Sequence, residues 1–325
     1  MATPARPHGP ILTLLLVAAL GGCSAAEKVT GPPGDDAGEH LVVFGTDRVG
    51  TAGAYDIVVY DLDNGGFRSL AGLNASGPEF EPCLSNDGRF VTFNAARGAG
   101  GPDIFVYDRL TQGLLATPGL NTAAAETHPR FTYDSVHLAF VRDSSSSTRI
   151  RLYEPVGDTL IQLPGIDAPG SASDDQPAPN LDGSRIAFTS TRTGRREVHV
   201  WNRGAGVTQP AGLAGDGIDL SPSLSSDGRW LAFASTRSAG AGAYDIYLYD
   251  LLAGAMVRLP RLNTGAGESH PAVSADGNRI VFESDRAGGG GQRDLYLYTR
   301  SDSSVAQPAG FRNAADDHQP YLRWR

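Results

Sequence analysis

Cysteine, lysine and long hydrophobic segments are all scarce in this 325-residue sequence. Its two cysteines, Cys23 and Cys83, are too few for a disulfide-stabilised scaffold or a cysteine-ligated zinc site. The longest apolar segment, residues 11–20, has about half of the roughly 20 residues that a membrane-spanning helix needs. A formal net charge of −9 argues against nucleic acid as a partner. Glycine is abundant instead, with 41 residues beside 21 prolines, which predicts many turns.

Familiar catalytic motifs are also missing from the sequence. It contains no GxSxG nucleophile elbow, no HExxH zinc motif and no phosphate-binding loop. These absences favour a binding protein over an enzyme.

Residues 1–22 resemble a bacterial lipoprotein signal peptide. A short apolar core follows Arg6 and ends in Leu20-Gly21-Gly22-Cys23, where small residues precede a cysteine whose thiol can carry lipid. The resemblance implies lipid attachment at Cys23, and in a Gram-negative host the following Ser24 implies sorting to the outer membrane, facing the periplasm. An ordinary cleavage site with a chance cysteine is the alternative. Residues 23–38 are polar and rich in glycine and proline, as expected of a flexible tether.

One motif recurs along the rest of the chain at intervals of 45–49 residues. It reads Pro-x-x-(Ser/Thr/Asn)-x-Asp-(Gly/Ser), starts at Pro82, Pro129, Pro177, Pro222 and Pro271, and has a truncated sixth copy at Pro320. Each complete copy is followed by an alternating strand, a turn that is usually Gly-rich, a second strand such as DIFVYD and a weaker last strand. Four short strands per repeat predict the blade of a β-propeller.

The two ends of the repeat region predict how the propeller closes. Residues 40–80 begin at the second strand of a blade, and the C-terminal PYLRWR is a first strand with nothing after it. These two fragments together make one blade. The sequence therefore predicts an all-β fold, a six-bladed β-propeller of four-stranded antiparallel blades over residues 39–325, closed by pairing of its N- and C-terminal segments.

The repeats resemble those of the TolB family. The resemblance rests on motifs such as SADGNRIVFESDR and AYDIYLYD and covers residues 39–325. TolB proteins carry a further N-terminal α/β domain, for which this sequence leaves no room. The resemblance thus implies a stand-alone TolB-like propeller lipoprotein of the bacterial cell envelope.

Two sets of charged residues recur from blade to blade, and we predict that both are structural. In five blades an arginine stands four residues after the phenylalanine of the second strand, and an acidic residue opens the next strand. These pairs are Arg48 with Asp56, Arg97 with Asp103, Arg192 with Glu197, Arg237 with Asp245, and Arg286 with Asp294. We interpret each as a cross-strand ion pair that holds a hairpin. In the remaining blade Ser144 replaces the arginine, and Asp143 with Arg149 carries the charges in reverse.

The candidate binding residues precede the motif prolines, in a segment that we interpret as a loop leading into the innermost strand beside the channel. Three positions before the proline the residue is always acidic: Glu79, Glu126, Asp174, Asp219, Glu268 and Asp317. This repetition favours a structural role, with a ring of cation ligands as the alternative. Immediately before the proline the residues vary: Glu81, His128, Gln176, Ser221, His270 and Gln319. Such variation is expected of a blade-specific site and equally of an unconstrained rim.

We therefore predict a ligand-binding site at the channel mouth. Its candidate residues are Glu126, His128, Gln176, Glu268, His270, Asp317, His318 and Gln319. Imidazole and carboxylate groups of this kind suit a cationic or hydroxyl-rich ligand, and a divalent cation is the minority alternative.

Two functions remain open on this basis. The first is a lipid-anchored, monomeric, non-enzymatic propeller that needs no cofactor and binds an envelope protein or glycan. Its only membrane contact would be the lipid anchor. The second is a metal-dependent enzyme with its site in the channel, similar to propeller-type polysaccharide lyases. In that case His128, His270 and His318 would hold the metal.

Overall fold

The computed structural model describes residues 40–48, 55–68, 70–98, 100–132, 134–135, 137–143, 147–155, 157–166 and 172–323. The predicted signal peptide (1–22), the tether (23–38) and Cys23 lie outside these residues. Within them the chain forms six four-stranded antiparallel sheets, the blades of a β-propeller, as the sequence predicted. None of the described residues forms a helix with the length and hydrophobicity that crossing a bilayer requires.

Each blade is described from its innermost strand outward. Blade 1 consists of β24 (Asp317–Arg323), β1 (Leu41–Thr46), β2 (Asp56–Asp61) and β3 (Gly66–Arg68). Blade 2 consists of β4 (Glu79–Leu84), β5 (Phe90–Ala95), β6 (Asp103–Asp108) and β7 (Gly113–Leu114). Blade 3 consists of β8 (Glu126–Phe131), β9 (Leu138–Asp143), β10 (Thr148–Glu154) and β11 (Thr159–Ile161).

The other three blades repeat this order. Blade 4 consists of β12 (Asp174–Pro179), β13 (Arg185–Ser190), β14 (Glu197–Asn202) and β15 (Gly206–Thr208). Blade 5 consists of β16 (Asp219–Leu224), β17 (Trp230–Ser235), β18 (Asp245–Asp250) and β19 (Ala255–Val257). Blade 6 consists of β20 (Glu268–Val273), β21 (Arg279–Ser284), β22 (Asp294–Thr299) and β23 (Ser304–Ala306), and a 3-10 turn (Ala309–Phe311) follows it.

The hydrophobic core lies between neighbouring blades. Each of six apolar clusters joins two adjacent blades, so the middle strands are covered on both faces. In β17, Leu231 and Phe233 pack toward blade 4, whereas Ala232 and Ala234 pack toward blade 6. Successive residues of a strand point to opposite faces. This two-sided burial explains why the middle strands read as nearly continuous apolar runs, such as LVVF in β1.

The ring closes through blade 1, as predicted. The C-terminal strand β24 pairs antiparallel with β1, so that Leu41 lies opposite Arg323 and Val43 lies opposite Tyr321. Leu322 is buried in the cluster between blades 6 and 1. Two chain segments more than 270 residues apart therefore complete one sheet.

Two ends of the propeller can be distinguished. At the entry end the innermost strands begin and the second strands finish, so that Asp219 of β16 lies opposite Ser235 of β17. At the turn end an Asp-Gly turn follows each innermost strand in four blades, as at Asp227 and Gly228. The predicted site residues all lie in the entry half of the innermost strands.

Candidate binding site in the propeller channel

A β-bulge interrupts every innermost strand just before the motif proline. In blade 5, for example, the pairing register between β16 and β17 shifts between Leu220 and Ser223. The residue before each proline has a left-handed backbone, with φ of 56° at Glu81, 52° at His128, 52° at Gln176, 51° at Ser221, 47° at His270 and 52° at Gln319. Proline suits the next position because it has no N–H to leave unpaired. The segment is therefore a bulged strand and not the loop that we predicted.

The bulges turn their side chains into the channel. All six bulge residues line it, and so do the residues two positions further on in five blades: Arg130, Ala178, Ser223, Ala272 and Tyr321. Arg130 and Tyr321 are bulky and come from blades 3 and 1, whereas the three small residues come from adjacent blades 4, 5 and 6. The free space of about 50 Å³ has room for a few water molecules. The layer below the bulges is therefore narrow on one side and open on the other.

Hydrogen bonds join the bulges into a belt around the channel. In four places a side-chain oxygen of one blade accepts the backbone N–H of the bulge residue in the next blade. The acceptors and donors are Gln319 Oε1 and Glu81 N at 3.0 Å, Glu81 Oε2 and His128 N at 2.7 Å, Gln176 Oε1 and Ser221 N at 2.8 Å, and Glu283 Oε2 and Gln319 N at 3.0 Å. The N–H of Gln176 is capped within its own blade by Asp175 Oδ1 at 2.8 Å. The belt offsets the strain of the left-handed residues.

The ring of His128 links three blades through contacts with carboxylates of the two neighbouring blades. Its Nε2 lies 2.5 Å from Glu81 Oε1 in blade 2, and its Nδ1 lies 3.2 Å from Asp175 Oδ1 in blade 4. Burial lowers the pKa of His128, but the carboxylates of Glu81 and Asp175 together outweigh burial and leave the pKa raised. Burial raises the pKa of Glu81, and His128 outweighs this and leaves that pKa lowered. Each group therefore favours the charged form of the other, as in an ion pair.

This ion pair predicts a pH-dependent stability. Below the unfolded pKa of about 6.5, His128 is protonated in both states and its contribution, about 1.5–3 kcal/mol, is complete. The contribution is lost as pH rises through the raised pKa of the folded state. We expect wild type to be more stable than His128→Gln at pH 6, and this difference to shrink toward pH 9. Urea unfolding of both proteins across this range measures it, and a constant difference would contradict the ion pair.

His270 is held on the opposite side of the ring. Its Nδ1 lies 2.8 Å from Glu283 Oε1, and Arg293 Nη1 lies 3.2 Å from the same oxygen. Burial raises the pKa of Glu283, but His270, Ser269 and the amide of Gln319 outweigh burial and leave the pKa well below its usual range. The imidazole is therefore fixed in orientation by a carboxylate that stays ionised.

The acidic residues three positions before the prolines do not line the channel. They are at most 2% exposed, and each pairs with an arginine of the second strand or the turn after it. The pairs are Arg48 with Asp317, Arg97 with Glu79, Arg142 with Glu126, Arg192 with Asp174, Arg237 with Asp219 and Arg286 with Glu268. The predicted structural role is confirmed. The placement of Glu126, Glu268 and Asp317 at the channel mouth is wrong, because these carboxylates are buried inside the blades against the arginines.

The arginines therefore have a different partner from the one we predicted. Arg237 Nη2 lies 2.9 Å from Asp219 Oδ1, and its guanidinium stacks over Phe233 and Tyr247. Asp245, the predicted partner, accepts the N–H of Gly242 at 3.1 Å and so stabilises the turn. In blade 3 the arginine is Arg142, within β9 and directly opposite Glu126. Ser144 lies outside the described residues.

His318 does not reach the channel either. It is 8% exposed and packs edge-on against Tyr55, with ring centroids 4.4 Å apart, and against Gly45 of β1. Burial lowers the pKa of His318, so the ring favours its neutral form. The alternative in which His128, His270 and His318 hold one metal ion therefore does not fit this geometry. Among the described residues no group of three or more His, Cys, Asp or Glu side chains is arranged to hold a metal.

Sequence reasoning missed two carboxylates that organise the site. Glu283 lies where the other blades have Gly45, Asn94, Val141, Thr189 and Ala234, and Asp175 lies where they have Phe80, Thr127, Leu220, Ser269 and His318. In both cases a carboxylate occurs at a repeat position where no other blade has an acidic residue. This difference between blades is the feature of the sequence that could have identified them.

Cys83 is buried, and burial raises the pKa of its thiol to about 11, consistent with an unreactive side chain.

Fold and channel together define the class of this protein as a six-bladed β-propeller with a differentiated central channel. Its propeller is TolB-like. A 70-residue segment, 22% of this chain, is 39% identical to the "Tol-Pal system protein TolB" of Desulfosudis oleivorans and spans 16% of that protein. No protein-family profile matches the chain.

Solved structures show the same fold at low sequence identity. TolB from Acinetobacter baumannii superposes with a TM-score of 0.67 at 18% identity, over 87% of this chain and 66% of that one. A TolB from Agrobacterium tumefaciens gives 0.60 at 16% identity, over 83% and 89% of the two chains. An oligogalacturonate lyase in complex with manganese gives 0.55 at 14% identity, over 82% and 73%. Identities this low establish the fold alone.

Proposed function

We propose that this chain is a lipid-anchored cell-envelope propeller that binds a protein partner at the entry end of its channel, without catalysis. The TolB likeness supports an envelope protein-binding module. The observation that carries the proposal is the contrast between the ion pairs inside the blades and the residues that line the channel. The arginine–carboxylate pair is repeated in all six blades, whereas the bulge residues are Gln, Glu, His, Gln, Ser and His in turn. The residues that differ between blades are therefore concentrated in the channel, where a partner would be recognised.

The rim at the entry end offers groups suited to a polypeptide. Arg196 and Arg293 are about half exposed, and each contacts a carboxylate that also holds a channel histidine. Tyr55 and Phe80 pack together on the rim of blades 1 and 2, and Tyr244 precedes β18 in blade 5. Arginine and tyrosine are enriched at the energetic centres of protein interfaces. The histidines, in turn, are engaged by carboxylates as parts of the belt.

Affinity capture from bacterial envelope extract tests the location of binding. Arg196→Ala removes an exposed guanidinium at the entry end of blade 4, and we expect it to reduce capture of the partner several-fold. The matched control is Arg203→Ala, which removes an exposed arginine from the turn end of the same blade. Equal capture by both variants would contradict an entry-end site. Retention of glycan alone by wild type would assign the site to a glycan instead.

Membrane attachment has its own test. The Leu-Gly-Gly-Cys junction motivates the expectation that Cys23→Ala moves the chain from the membrane fraction to the soluble fraction. The physical reason is that the acyl chains on this cysteine would supply the membrane affinity, since stable anchoring needs more than one such chain. Fractionation after a high-salt wash measures the result. A variant that stays with the membrane would contradict lipid anchoring at Cys23.

A further inference from the structure

One link of the hydrogen-bonded belt is open, between blades 5 and 6. Side chains as long as Gln or Glu span the distance from one bulge to the next, as Gln176 does to the N–H of Ser221. Ser221 is two carbons shorter than Gln176. Among the described residues no side-chain oxygen caps the N–H of His270, whereas the five other bulge amides are capped.

The open link lies beside the free space of the channel. Ser221, Ser223, His270 and Ala272 line it on the side of blades 5 and 6, where the layer below the bulges is built from small residues. The hydroxyl of Ser223 accepts the N–H of Val273 at 3.0 Å and is thereby fixed. The belt position that a Glu or Gln oxygen fills elsewhere therefore has room for an oxygen from another molecule.

The imidazole ring of His270 lies beside the same position and is held in a fixed orientation. Glu283 binds Nδ1 of His270, so that Nε2 lies on the opposite edge of the ring. The side chain of His270 is about one-third exposed, and the residue lines the channel. One part of the channel wall thus contains the backbone N–H of His270, its ring and the hydroxyl of Ser221. The charged and titratable groups beside His270 are the Glu283 carboxylate, the Arg293 guanidinium that lies 3.2 Å from it, and the buried ring of His318.

We infer that the open link is the binding site for one side-chain carboxylate of an acidic peptide segment. The inference rests on the proposed function and names the chemistry of its partner. One carboxylate oxygen takes the position of the missing belt oxygen and accepts the N–H of His270 and the hydroxyl of Ser221. The ring of His270, which Glu283 holds in orientation, lies beside the same carboxylate. Two other belt acceptors, Glu81 and Glu283, are themselves carboxylates, and charge-assisted hydrogen bonds are the stronger kind.

The test uses the intact propeller labelled with ¹⁵N and a blocked amino acid, N-acetyl-glutamate N-methylamide, as the probe. We expect the amide resonance of His270 to shift with a saturable dependence on probe concentration in wild type. Ser221→Gln fills the open link in the way that Gln176 fills the preceding one. We expect it to weaken probe binding at least tenfold and to raise the melting temperature. The matched control, Ser238→Gln, makes the same change at an exposed position of blade 5 and leaves both properties unchanged.

Three outcomes would overturn this inference. They are an unshifted His270 amide in wild type at saturating probe, equal probe binding by wild type and Ser221→Gln, and a response to galacturonate but not to the blocked glutamate. Partner capture separates this site from the broader proposal. If Arg196→Ala loses the partner while Ser221→Gln retains it at full strength, the entry-end site stands and the carboxylate site is wrong.

Discussion

Removal of residues 320–325 is expected to destabilise the protein by at least about 4 kcal/mol, a large part of the 5–15 kcal/mol that holds a typical domain folded. The deletion removes most of the pairing between β24 and β1 and takes Leu322 out of the core between blades 6 and 1. Burial of one leucine contributes about 1.5–3 kcal/mol, and each lost backbone hydrogen bond about 1 kcal/mol. The ring also opens and leaves an unpaired sheet edge.

Urea unfolding of two truncated proteins measures this effect. Deletion of residues 324 and 325 alone leaves β24 whole and serves as the matched control. We expect the control to unfold at the wild-type urea concentration and the longer deletion to unfold at a much lower one. Equal midpoints for the two truncations would show that this segment does not close the ring.

The second large effect is expected at the repeated arginine–carboxylate pair. Arg237→Met leaves the Asp219 carboxylate buried without its cation, which costs about 3–5 kcal/mol. Asp219→Asn removes the negative charge that Arg237 neutralises, so the double variant should lose much less than the sum of the single losses. Burial raises the pKa of Asp219, although Ser235 and Arg237 oppose the rise, which shows that the site is poorly hydrated.

Two double-mutant cycles identify the partner of Arg237. The cycle of Arg237→Met with Asp219→Asn should give a coupling energy of about 1–3 kcal/mol, as residues in one buried network do. The cycle of Arg237→Met with Asp245→Asn is the matched control, and its coupling should stay within about 0.5 kcal/mol. Larger coupling to Asp245 than to Asp219 would restore the hairpin ion pair and contradict the structure.

The blade architecture could be predicted from the sequence because its determinants are periodic. The proline motif recurs at nearly constant spacing, and the fragment at the C-terminus has no other place than the incomplete first blade. The partner of each arginine could not be predicted in this way. Asp219 and Asp245 are both acidic, both recur and are both buried, and only the contact of Asp219 with Arg237 in the folded blade distinguishes them.

The channel site was predictable only in part, and the bulge explains why. The segment before the proline was interpreted as a loop beside the channel, so Asp317 and Gln319 were both expected there. In a regular strand these two residues would share a face, and the left-handed backbone at Gln319 breaks this alternation. Gln319 then lines the channel, while Asp317 binds Arg48 inside the blade and His318 packs on Tyr55. The residues that vary between blades are the bulge residues that line the channel, whereas the shift of strand geometry has no signature in the sequence pattern.

Site-specific photocrosslinking tests most directly whether the entry end is the partner-binding surface. A photoreactive phenylalanine analogue replaces Tyr244 at the entry end of blade 5 in one protein and the exposed Leu252 at the turn end of the same blade in another. Irradiation of intact cells should yield a specific protein adduct from position 244 and none from position 252. An adduct from position 252 alone, or the same adduct from both positions, would contradict a binding site at the mouth of the channel.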